Sequence, residues 1–118
     1  MIARKISIHL KPNTLAEFTM TFQQNVIPLL RKQRGFKDEI TFAAAGSTDV
    51  LAISLWDTKQ NAEAYDANGY KDVLKMLANV IEGTPKVATL EVIDSTFYKV
   101  PTEVPVAGAV VVPVAAVA

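Results

Sequence analysis

Cysteine is absent from the sequence, and histidine and tryptophan each occur once. The first absence excludes disulfides and thiolate chemistry, and a lone imidazole, His9, cannot build a zinc site of the usual His/Cys type. Neither sign of charge is in excess, because 12 Lys and Arg balance 12 Asp and Glu. Without a basic surplus to neutralise phosphates, nucleic acid is not an expected partner. Clustered loop carboxylates that would suit Ca²⁺ or Mg²⁺ are missing, as is a Gly-rich loop for phosphate. The first residues, Met1 to Ile8, alternate like a strand and lack the long apolar core of a secretory leader. The apolar stretch from Val104 to Ala118 is interrupted by Pro105 and Pro113 and is too short for a membrane helix, which needs roughly 20 residues. These readings point to a cytoplasmic protein with no membrane partner.

At 118 residues the chain can form one domain, whose burial a partner subunit would usefully extend. Ile2 to Leu10 is the first strand, with Ile6, Ile8 and Leu10 on one face and Lys5, Ser7 and His9 on the other. Lys11-Pro12-Asn13 ends it. A helix then runs to about Arg34, capped by Asn13 or by Thr14, which with Glu17 has capping-box spacing. Its apolar residues Leu15, Phe18, Phe22, Val26, Leu29 and Leu30 recur at three and four, the mark of one buried stripe. Pro28 should bend that helix, and Gly35 after Arg31, Lys32 and Arg34 should stop it. Phe36 to Ala45 reads as a second strand with Ile40 and Phe42 on one face, followed by a hairpin loop, Gly46 to Asp49.

The third strand, around Leu51 to Trp56, hands over to a helix at Asp57-Thr58, either of which can cap it. Leu51, Ile53 and Leu55 alternate with Ala52 and Ser54, which predicts that the three large residues form the buried face. The helix breaks at Gly69 and resumes from Tyr70 to about Ile81, and a last strand runs from Val87 to about Lys99 with Leu90 and Val92 as inward candidates. The resulting β-α-β-β-α-β order predicts an α+β, ferredoxin-like fold: a four-stranded antiparallel sheet with two helices on one face. The other face would carry Lys5, Ser7, His9, Ala52 and Ser54, a mixture that packing against a second copy would cover. Residues 1–99 form the domain. The Pro/Val/Ala-rich tail, 100–118, is expected to lie on its own or a partner subunit.

This order, the Gly35-Phe36 after a basic helix end, and the run L-W-D-T-K-Q-N-A-E-A-Y-D-A-N-G-Y-K-D-V-L together resemble the antibiotic-biosynthesis-monooxygenase-like family of dimeric α+β barrel proteins. The resemblance spans about Met1 to Lys99. It implies a homodimer with a pocket between sheet and helices in each subunit, and Trp56 beside it. Some members oxygenate electron-rich aromatic compounds without metal or bound cofactor, the substrate carbanion itself reacting with oxygen. Others degrade haem, but this sequence has Ile6 where that branch is expected to carry asparagine and no histidine between Thr58 and Gly83. Ala52 stands where the cofactor-free oxygenases are expected to have an asparagine.

The resemblance therefore implies a cofactor-independent monooxygenase acting on a small aromatic or quinol-like compound. A non-catalytic ligand-binding or assembly module of the same fold is the alternative. Trp56, Tyr65 and Tyr70 would orient the ligand, the tyrosine hydroxyls donating to a developing anion, and Phe18 and Phe22 would form an apolar wall. The blander reading makes Trp56 a core aromatic and the tyrosines helix-packing residues. His9 is expected at the dimer interface, away from the pocket, and Asp57 as a cap.

Overall fold

Alternation along the first strand fixes the layering of the molecule. In β1 (Ile2–His9) the side chains of Ile2, Arg4, Ile6 and Ile8 are buried, while those between them are partly or fully exposed. The computed structural model describes residues 1–100 and the backbone of Glu103–Val104 and Val112–Pro113. After β1 come α1 (Leu15–Thr21), a π-helical turn (Phe22–Val26), α2 (Ile27–Arg31), β2 (Phe36–Ala43), β3 (Asp49–Trp56), α3 (Lys59–Ala67), α4 (Gly69–Met76) and β4 (Lys86–Glu91). The sheet order is β2-β3-β1-β4 with every neighbouring pair antiparallel, and the core unites the inner sheet face with the helices. This is the ferredoxin-like α+β arrangement expected from the element order. Glu103–Val104 and Val112–Pro113 pair as β5 and β6. The expected docking of the 100–118 tail otherwise falls outside the described residues.

The long first helix departs from expectation. Phe18, Phe22, Val26 and Leu30 are the buried residues of this helix, and each follows the last by four. In a regular α-helix such a series drifts by about 40° per step and would leave the core by its end. The wide turn corrects the drift: the Ile27 N–H donates to the Phe22 carbonyl five residues back. Pro28, in the first turn of α2, has no N–H to offer Gln24, so a slipped turn costs less here than elsewhere. The helix widens where a bend was expected. Leu15, counted in the stripe, is 42% exposed. Neither expected cap is made, since the Asn13 backbone is left-handed and the Thr14 hydroxyl donates to the Lys11 carbonyl. The second helical run closes at Met76 as a regular helix, and turns then carry the chain to Ile81, which bridges to Leu10.

The faces of β3 are the reverse of those expected. Val50, Ala52, Ser54 and Trp56 are buried against the helices, whereas Leu51, Ile53 and Leu55 lie on the open face and are only partly covered. The register puts Ile40 and Phe42 on that open face too, and Glu39 and Thr41 inside. Size explains the reversal: small Ala52 and Ser54 make room beneath the helices for bulky Tyr65 and Tyr70, which larger residues would fill. The last strand is shorter than expected, ends at Glu91, and turns Leu90 outward beside Ala3. The open face is consequently more apolar than expected: Ile40 is 50%, Phe42 51% and Leu90 50% exposed.

Candidate functional site

Trp56 closes β3 at the bottom of the sheet, and the next residues turn the chain into α3. The Thr58 hydroxyl caps that helix by accepting from the Asn61 N–H at 3.2 Å. The Asp57 carboxylate accepts from Asn61 Nδ2 at 2.8 Å, a bond that holds its pKa below the ordinary carboxylate range. Gly35 braces the corner from behind, its carbonyl accepting from the Asp57 N–H at 2.9 Å. Its φ of +81° suits glycine alone, and a side chain there would run into Asp57 and Asn61, whose Cβ would be 2.7 Å away.

The indole is completely buried, and its N–H donates to Ser54 Oγ at 2.9 Å. It stacks on Tyr65 with ring centres 4.9 Å apart, and meets the edge of Phe36 at 5.6 Å. Tyr70 continues the series, 6.1 Å from Tyr65. Arg4 enters this aromatic set from β1, 2% exposed, with its guanidinium carbon 3.9 Å from the centre of the Tyr70 ring and 5.2 Å from that of Tyr65. One arm donates to Asp66 on α3, and Nη1 has no hydrogen-bond partner among the described residues. A buried guanidinium over two rings gains cation–π attraction in place of part of its lost hydration. Burial raises the pKa of both tyrosines, with the positive charge of Arg4 opposing.

Above this set lies a small chamber of about 20 Å³ between sheet and helices. Its walls are mainly apolar, from Ile6, Ile8 and Ala52 on the sheet to Phe22, Val26, Val73 and Leu77 on the helices. Its polar members are Glu39, Ser54, Tyr65 and Tyr70. Glu39 reaches it from β2, opposite Ser54, and accepts from the Thr41 hydroxyl at 2.7 Å. Burial pushes its pKa up to about 7 against the pull of that bond. A carboxyl with such a value changes protonation state near neutrality, as proton-transfer groups must. A second hollow of about 280 Å³ runs between the first helix and the inner edge of β2, lined by Phe18, Thr19, Phe22, Glu39 and Thr41 among others.

Of the residues expected in a site, Tyr65, Tyr70 and Phe22 line the chamber, and Phe18 and Phe22 line the second hollow. Trp56 lines neither and stands behind Tyr65. His9 is on the open face, bonded to Asp49 and Thr48 of its own chain. Sequence reasoning missed Arg4, Ser54 and Glu39. Arg4 carried a signal, since it falls in phase with Ile2, Ile6 and Ile8. Glu39 carried none, because Ile40 and Phe42 mark one face of that strand without telling which face is inside. Among the described residues no group of three or more His, Cys, Asp or Glu could hold a metal ion, and no helix is long and apolar enough to cross a membrane.

By sequence, no family model and no curated relative matches the chain. By fold, it matches structures of antibiotic biosynthesis monooxygenases over most of its length. A monooxygenase from the gene ActVA-Orf6 of Streptomyces coelicolor, solved in complex with the ligand nanaomycin D, superposes with a TM-score of 0.68 at 16% identity, covering 83% of this chain and 92% of that one. SnoaB, a cofactor-independent oxygenase from Streptomyces nogalater, gives 0.67 at 13% identity over 80% and 95%. NE2512 from Nitrosomonas europaea, a protein of unknown function, gives 0.66 at 16% identity over 85% and 93%.

Proposed function

We propose that this protein is a cofactor-independent monooxygenase of small hydroxylated aromatic compounds such as anthrones or hydroquinones. The observation that carries this reading is the placement of Glu39, a carboxyl whose pKa burial pushes up to about 7, opposite Ser54 in a chamber with mainly apolar walls. Such a group can take the proton whose loss turns a phenolic substrate into an electron-rich anion. The Arg4 charge, behind Tyr65 and Tyr70, favours that anion electrostatically, and the Tyr70 and Ser54 hydroxyls can donate to its oxygen. The anion gives one electron to dioxygen, and recombination of the radical pair forms a carbon–oxygen bond. The peroxide so made takes up the proton held by Glu39 and loses water. An anthrone CH₂ plus O₂ becomes the quinone C=O plus H₂O, with no external reductant. Phe18, Phe22, Tyr65 and Tyr70 contact the ring system, and Trp56 fixes Tyr65.

Oxygen uptake with a panel of anthrones and hydroquinones tests this, one O₂ being consumed per quinone formed. The volume of the chamber favours a second reading: about 20 Å³ holds roughly one water and no aromatic ring. On that reading the domain is a non-catalytic module, and no compound of the panel is oxidised faster than in buffer.

The open sheet face supports a homodimer. Ile53 lies at its middle, opposite Ile40 on one side and Lys5 on the other. A glutamate there would lose its hydration when two sheets meet, a cost that pairing with the neighbouring Lys5 would offset only in part. Ile53→Glu is expected to weaken self-association by at least about 100-fold, close to 3 kcal/mol. Sedimentation equilibrium should then show a dimer for the parent and a folded monomer for the variant; a monomeric parent would remove the dimer from the proposal.

A further inference from the structure

The small chamber and the larger hollow, a groove along the first helix, are lined by separate sets of residues with two exceptions, Phe22 and Glu39, which belong to both. We propose that the Phe22 ring is a movable partition, and that groove and chamber form one binding site for a neutral, hydroxylated fused-ring compound that enters along the groove. The proposal rests on the oxygenase reading only for the location of the chemistry.

Volume gives the first argument. An engineered apolar cavity of about 150 Å³ admits benzene, so 20 Å³ is far too little for a ring while 280 Å³ is enough. Any aromatic occupant of the chamber must therefore displace a wall. The sheet wall is built from β1 and β3, each paired on both sides, and Tyr65 is held between Trp56 and the rest of the aromatic set. Phe22 is buried but is not stacked between two rings in this way. Its helix neighbours Thr19 and Gln23 are exposed, and its aromatic contact is Phe18 at 5.4 Å, which lines the groove. A change of rotamer at one side chain would join the two hollows without moving backbone. The backbone at this point is the π-helical turn, a departure from regular helix that recurs at functional sites.

Chemistry gives the second argument. The joined site would have Glu39 at its middle, with Thr41 beside it on the groove side and Ser54 on the chamber side. A hydroxyl at the junction finds an acceptor in the carboxylate. A carboxylate or sulfonate on the ligand finds like charge in a partly desolvated place and is rejected.

Binding of 2-naphthol, followed by its own fluorescence in stopped flow, tests both arguments without oxygen chemistry. Phe22→Ala should raise the association rate about tenfold, and Thr19→Trp, at an exposed position beside the groove, should lower it by a similar factor. Naphthalene-2-sulfonate should bind at least tenfold more weakly than 2-naphthol, a gap that Glu39→Gln narrows. Association rates within twofold of the parent in both variants, equal affinity for the two naphthalenes, or no binding of 2-naphthol would each overturn the proposal. If Phe22→Ala fails to fold by near-ultraviolet circular dichroism, Thr19→Trp decides the route alone. Binding with the expected rates but without oxidation of any quinol would sink the oxygenase and leave the partition standing.

Discussion

Glu39→Gln is expected to lower oxygen uptake by about 10²–10⁴-fold, the usual range for loss of a positioned general base. The substitution keeps the shape of the side chain and its place beside Thr41, so 2-naphthol should still bind. In the parent protein the rate should rise with pH and level off above about 7, because only the ionised carboxylate accepts a proton. An acid role would give the opposite slope. Stability supplies an independent check. The folded value of about 7 lies above the ordinary 4.5, so the native state holds the proton more tightly than the unfolded chain does. Below 4.5 both states are protonated and the native state is at its relative best; as pH rises through 4.5 to 7 the unfolded chain ionises first, and stability falls. Urea midpoints should therefore decline over that window in the parent and decline less in Glu39→Gln. A variant that keeps parental turnover, with an unchanged pH profile, would take Glu39 out of the mechanism.

How much of this was legible in the sequence depends on what each signal measures. Element order was legible because turn and stop signals are local: Gly35 after a basic helix end, Thr58 before a helix, Gly69 at a break. Which face of a strand is buried was not, because alternation gives the period but not the phase. In β1 the phase follows from Ile6 and Ile8. In β3 both phases are apolar, and the rule that larger residues go inside picks the wrong one. The helices bring Tyr65 and Tyr70 down onto the sheet, and only Ala52 and Ser54 leave them space. Large Leu51, Ile53 and Leu55 are then left for the outer face, where they suit a partner. The same ambiguity of phase hid Glu39, which shares a strand with Ile40 and faces the other way. The corner at Trp56 was legible, but its role as a support beneath Tyr65 depends on stacking geometry that no spacing reveals. The four-residue spacing from Phe18 to Leu30 does foreshadow the π-helical turn once Pro28 is taken into account, since a steady period of four is too long for regular helix.

Trp56→Ala should produce the largest loss of stability of any single truncation in the chain, about 3–5 kcal/mol. The indole is wholly buried at the point where β3, β2 and α3 meet, and its removal leaves a void bounded by Phe36 and Tyr65. It also strips Ser54 Oγ of its donor inside the core. A domain of this size has roughly 5–15 kcal/mol in hand, so the variant should be close to unfolding at physiological temperature, with a melting point lower by tens of degrees. Trp56→Phe separates support from hydrogen bonding: it keeps a ring for Tyr65 to stack on and loses only volume and the N–H, for an expected cost of about 1–3 kcal/mol. Urea denaturation of the two variants reads both numbers. A loss under 1 kcal/mol for Trp56→Ala would contradict the packing described here. Because the indole stands behind Tyr65 and does not line the chamber, Trp56→Phe should retain oxygen uptake to within about tenfold of the parent, the range of an indirect positional effect rather than a lost catalytic group. A folded Trp56→Phe protein with full 2-naphthol affinity but no turnover would mean that the indole touches the reacting molecule after all, and that Tyr65 swings aside to let it.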